Sequence, residues 1–81
     1  METSHVHEIG LDLKAKKFAC LGCEQIFNHD EAAGRLERTH GLDRWRRMNA
    51  AMERLRYLKR RRARIENVKM GLVEFETRYG L

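Results

Sequence analysis

The stretch Phe18-Ala19-Cys20-Leu21-Gly22-Cys23-Glu24-Gln25-Ile26-Phe27, read together with Leu36-Glu37-Arg38-Thr39-His40-Gly41 downstream, decides the fold of the first half of this chain. Its two cysteines are three positions apart, and they are the only cysteines in 81 residues. In a reducing compartment such a pair reads as metal-binding or redox-active rather than as a structural disulfide. A thioredoxin-like site needs a strand–helix context, and no βαβ pattern surrounds this pair. Small buried thiols with surface histidines and no metal are the alternative, and metal binding is the leading reading. It also fits the size of the chain, because so short a polypeptide buries too little apolar surface to be stable without help.

Upstream of the cysteines the sequence alternates. His5, His7, Ile9, Leu11 and Leu13 fall on one face of a strand, and Val6, Glu8, Gly10, Asp12 and Lys14 fall on the other. Lys14-Ala15-Lys16-Lys17 is the expected turn, with Phe18-Ala19-Cys20 returning as the second strand of a hairpin. A turn near residues 14–15 sets Cys20 opposite Ile9 and Cys23 opposite Val6, which brings His5 and His7 beside the cysteines. Downstream, Asn28 or Asp30 suits a helix N-cap and Glu31 suits the first turn. The helix is expected to run through Ala32, Ala33, Leu36 and Arg38 to His40, and to stop at Gly41.

This constellation resembles the two-Cys two-His zinc finger over residues 16–41. Phe18 stands two before the first cysteine, Phe27 follows the second after three residues, and His40 sits at the family's second histidine position. The resemblance implies a ββα unit with one structural zinc held by Cys20, Cys23 and His40. It departs from the family at Leu36, which stands where the first histidine belongs. Zinc in a structural site takes four ligands. His7, His5, His29, or water or an outside group are the alternatives for the fourth position. His29 is disfavoured by distance, since eleven residues of continuous helix separate it from His40 by about 16 Å. The resemblance further implies that His29, Glu31, Ala32 and Arg35 face a DNA major groove, where Arg35 is the good base reader.

The net charge of +5 is unevenly spread. Residues 44–64 hold ten basic residues against one glutamate, whereas the segments before and after are net acidic. Nine of those ten are arginine: Arg44, Arg46, Arg47, Arg54, Arg56, Arg60, Arg61, Arg62 and Arg64, with Lys59 the exception. Arginine binds phosphates through a planar fork and stacks on bases, so this block points to a polyanion. Trp45, Met48, Met52, Leu55 and Leu58 recur at three- and four-residue steps, which predicts a helix capped by Asp43. If it continues from 43 to 70 it is about 42 Å long. Met48, Met52, Leu55 and Leu58 could form a homodimer or protein-partner seam, or pack back on the finger. Beyond Gly71 two patterns compete: Leu72, Phe75 and Tyr79 at helical spacing, and Val73, Phe75, Thr77 and Tyr79 alternating as a strand.

These readings give a small α+β zinc finger (β-hairpin plus helix) over residues 1–41, then a long basic α-helix and an uncertain end over 42–81, mostly α overall. No apolar run is long enough for a membrane span. The start of the sequence lacks signal-peptide character, so the expectation is an intracellular, non-secreted protein. It is not expected to be an enzyme, because so short a chain leaves little room for a substrate cleft. The expected function is nucleic-acid binding, DNA with a transcription-related role first and RNA second. The alternative is an adaptor docking on a larger machine such as an RNA polymerase or a ribosome.

Overall fold

A computed structural model describes residues 7–80. Strand β1 (Ile9–Asp12) pairs antiparallel with β2 (Lys17–Cys20), and Ile9 faces Cys20 while Leu11 faces Phe18. This is the register expected from the turn position. The turn lacks Asn-Gly chemistry and is organised by Asp12 instead. Its carboxylate accepts from the Lys14 and Ala15 N–H groups, both at 3.1 Å, and Lys16 takes a left-handed φ of 59°. A short strand β3 (Ile26–Phe27) adds to the far side of β2.

Helix α1 (His29–His40) begins with a capping box. The Asn28 carboxamide accepts from the Glu31 N–H at 2.8 Å, and the Glu31 carboxylate accepts from the Asn28 N–H at 3.0 Å. Gly41, at φ 94°, ends α1 as expected, and its N–H bonds back to Leu36 and Glu37. Helix α2 (Leu42–Arg60) starts directly after it. Asp43 therefore lies in the first turn of α2 and is not its cap, which corrects the sequence expectation.

The larger correction lies at the other end of α2. The helix does not run on towards residue 70 but stops at Arg60. Arg62 takes a left-handed φ of 59°, its N–H reaches the Lys59 carbonyl at 3.0 Å, and the Ala63 N–H reaches the Leu58 carbonyl at 2.9 Å. That pair of bonds is a Schellman terminator, usually built on glycine. An arginine there costs about 1–2 kcal/mol of backbone strain. The compensation is reversal of the chain, which returns as β4 (Lys69–Met70) against the free edge of β1 and then forms α3 (Leu72–Tyr79). The helical pattern after Gly71 is the one realised, with Leu72 and Phe75 buried.

The sheet order is thus β3-β2-β1-β4. One apolar cluster joins all parts, from Leu11, Phe18 and Leu36 through Trp45, Met48, Met52 and Leu55 to Leu72 and Phe75. Met48, Met52 and Leu55 are at most 1% exposed, so they are used in the chain's own core. Of the two uses foreseen for that stripe, packing back is the one this chain makes; Leu58 is half-buried. Gly10, which weakens β1 by propensity, is required by packing. A Cβ there would lie 2.4 Å from a Leu21 methyl and 2.7 Å from the Met70 carbonyl oxygen. No helix among the described residues is long and apolar enough to cross a membrane.

Candidate functional site

The hairpin end carries the first cluster. Cys20 is the last residue of β2, and the chain turns through Leu21-Gly22-Cys23 before β3. The Cys20 N–H bonds the Gln25 carbonyl at 2.9 Å, and the Gly22 N–H points at the Cys20 sulfur at 3.4 Å. These bonds fold the segment into a tight knuckle with both sulfurs on one side. Neither cysteine is in a disulfide. His7, just before β1, brings its Nδ1 to 3.6 Å from the Cys23 sulfur. Its ring packs edge-on against Phe27 with centroids 5.4 Å apart.

The ligand atoms of His7, Cys20 and Cys23 lie within 4.8 Å of one another, so this group can hold a metal ion. The chemistry of the donor set agrees. A sulfur and a nitrogen on the same tetrahedral zinc, with bonds of about 2.3 and 2.05 Å, are about 3.6 Å apart. Two further features support the knuckle. Cys20 is fully buried, which keeps water from one side. The Lys69 ammonium of β4 donates to the backbone carbonyls of both Cys20 and Cys23, at 2.8 and 2.6 Å. These bonds fix the backbone that carries the two sulfurs.

The other expected ligands fall elsewhere. His40 is not within the metal group; it is exposed at the end of α1, and its Nδ1 pairs with the Thr39 hydroxyl at 2.8 Å. It nevertheless borders, with His7, Ile9 and Leu36, a cavity of about 220 Å³. His29 is not in the group either: its ring packs against Trp45 at 4.9 Å and its Nδ1 faces Asp30. His5 lies outside the described residues.

No protein-family model matches the chain, and no curated protein or solved structure matches it. What supports a zinc-finger-like reading is the His7–Cys20–Cys23 group alone; His40, the histidine at the family's position, is not part of it.

The basic residues divide by what they touch. Arg47 forms an ion pair with Glu76 that joins α2 to α3, and the hydrogen bond and charge of Glu76 raise the guanidinium pKa above its ordinary value. Arg54 donates to the Tyr79 carbonyl at 3.3 Å and lies over the Tyr57 ring, which Arg61 also covers. Arg35 lies over Phe27 at 4.9 Å. Arg44 is half-buried, and its Nε has no hydrogen-bond partner among the described residues. Arg46, Arg62 and Arg64 are exposed. Arg61–Arg64 sit in the turn and the segment after it, not on a helix.

Arg56, Lys59 and Arg60, at the end of α2, meet Lys16 of the β1–β2 turn around a cavity of about 350 Å³. All four lining side chains are cationic. Lys16 and Lys17 were legible only as turn residues, although the Lys-Ala-Lys-Lys run carried the charge signal. Lys69 had no local signal at all. On α1, Ala32 is fully buried and His29 is engaged with Trp45, so the helix face expected to read bases is partly covered by α2.

Proposed function

We propose that this chain is a small nucleic-acid-binding protein whose sheet end is held by one structural zinc ion. The observation that carries the binding function is the junction of Lys16 with Arg56, Lys59 and Arg60 around one cavity with no acidic residue in its lining. Four cations held this way by two separate elements repel one another. A run of phosphates removes that repulsion and releases counterions as it binds. A solvated helix face has no need of a lysine from the opposite hairpin. DNA, in a transcription-related role, is the leading ligand, and RNA offers the same phosphates.

Zinc suits the two thiols and one imidazole better than calcium or magnesium, which take oxygen ligands. His7, Cys20 and Cys23 would hold it. His40 is not in that group, but it lines the cavity that His7 borders and is our candidate for a fourth ligand. Bound there, zinc would tie the hairpin to α1 and supply folding free energy rather than catalysis.

Electrophoretic mobility shift with short DNA and RNA at two salt concentrations tests the binding function. Affinity that falls steeply between low and moderate salt is the expected result. Absence of binding to either polymer at low salt overturns the proposal.

A further inference from the structure

The cationic cavity continues into a second concavity of about 200 Å³, and the two share Lys16 and Arg56. The lining changes character between them. Beside Lys17 and His29, the edges of Phe18, Phe27 and Met52, each at most 4% exposed, form an apolar wall. Asn28 and Asn49 stand beside that wall. The Asn28 carboxamide is committed to capping α1. The Asn49 carboxamide, half-buried on α2, makes no hydrogen bond among the described residues. Its amide stays open to solvent, so a ligand can take the place of water on it. A carboxamide presents a donor and an acceptor side by side, the pattern that matches the edge of a nucleobase.

Phosphate alone has no use for an apolar wall and an amide next to the cations. A base paired within a duplex is stacked and cannot enter a concavity on the protein, whereas an unpaired base can be splayed out into one. We infer that the second concavity is a base subsite, and that the preferred ligand is single-stranded nucleic acid. The backbone phosphates lie against Lys16, Arg56, Lys59 and Arg60, and a neighbouring unpaired base faces Asn49. This deepens the nucleic-acid reading and depends on it.

Fluorescence anisotropy with the full chain at low salt separates the two. The probes are a labelled single strand, an abasic strand of the same length and phosphate count, and a duplex. The base-bearing single strand should bind roughly tenfold more tightly than the abasic strand, and more tightly than the duplex. Asn49→Ala should weaken the base-bearing strand roughly fivefold and leave the abasic strand unchanged. Equal affinity for base-bearing and abasic strands, or tighter binding of duplex, overturns the base subsite and leaves nucleic-acid binding standing. Failure of all three probes to bind overturns the underlying function instead. The comparison of strands needs no variant, so it decides the matter even if Asn49→Ala does not fold.

Discussion

The Lys69 ammonium donates to the Cys23 carbonyl at 2.6 Å, across 46 positions of sequence. The same nitrogen reaches the Cys20 carbonyl, so one side chain from the second half of the chain closes the knuckle formed by the first. Affinity for a metal held by this knuckle would therefore be coupled to docking of β4, since each holds the geometry that the other requires.

Lys69→Met keeps the length of the side chain and removes the charge and the donors. It is expected to lower zinc affinity roughly tenfold, as loss of a second-layer contact to a metal site commonly does. Competition with a coloured chelator measures it. An unchanged affinity would show that the knuckle is rigid without β4.

The purified chain is expected to hold about one zinc ion and to lose its fold on chelation. His7→Ala and Cys23→Ser should abolish stoichiometric zinc, whereas His29→Ala should leave it intact, because that ring is occupied with Trp45. His40→Ala is the informative case. A drop in affinity makes it the fourth ligand, and no change leaves water in that position. Elemental analysis together with circular dichroism reads all four variants.

Gly10→Ala should destabilise the protein by about 1–3 kcal/mol, the usual cost of forcing atoms into a filled space. Part of its Cβ clash is with the Met70 backbone carbonyl, which cannot move without parting β4 from β1. Gly34→Ala is the matched control. It lies inside α1, where its Cβ would meet only the flexible end of Arg38 at 3.3 Å. Alanine there should stabilise by about 0.5–1 kcal/mol through helix propensity. Urea titration of both variants checks the opposite signs.

Arg56→Ala should weaken nucleic-acid binding several-fold and reduce the salt dependence by about one unit of slope. Arg47→Ala should leave binding nearly unchanged despite removing the same charge nine positions earlier, because Arg47 is engaged with Glu76. Equal effects from the two would mean that net charge matters and the groove does not.

Much of the first half was legible because its signals are local. The alternation from His7 to Leu13 and the position of the turn set the pairing of Ile9 with Cys20 and placed His7 beside the thiols. The Asn28–Glu31 capping box and Gly41 marked both ends of α1. The second half hid its turns. Nothing in Lys59-Arg60-Arg61-Arg62 announces a helix end, because an arginine occupies the left-handed position where glycine would have been a signal. Two-residue β4 is too short for any periodicity, and its partner in β1 lies far away in sequence. The charged groove was half visible: the α2 cations were clear, but only folding brings Lys16 to them.

The strand order β3-β2-β1-β4 places the late-synthesised edge of the sheet against its earliest strand. A nascent chain that has emerged only as far as α2 has both thiols and His7 available but lacks Lys69 and the cover of β4. Metal capture by these three residues would therefore be provisional until Lys69 and β4 dock. Any ion held by His7, Cys20 and Cys23 would therefore be held less firmly wherever β4 is undocked, so loosening of one sheet edge would be felt at the knuckle.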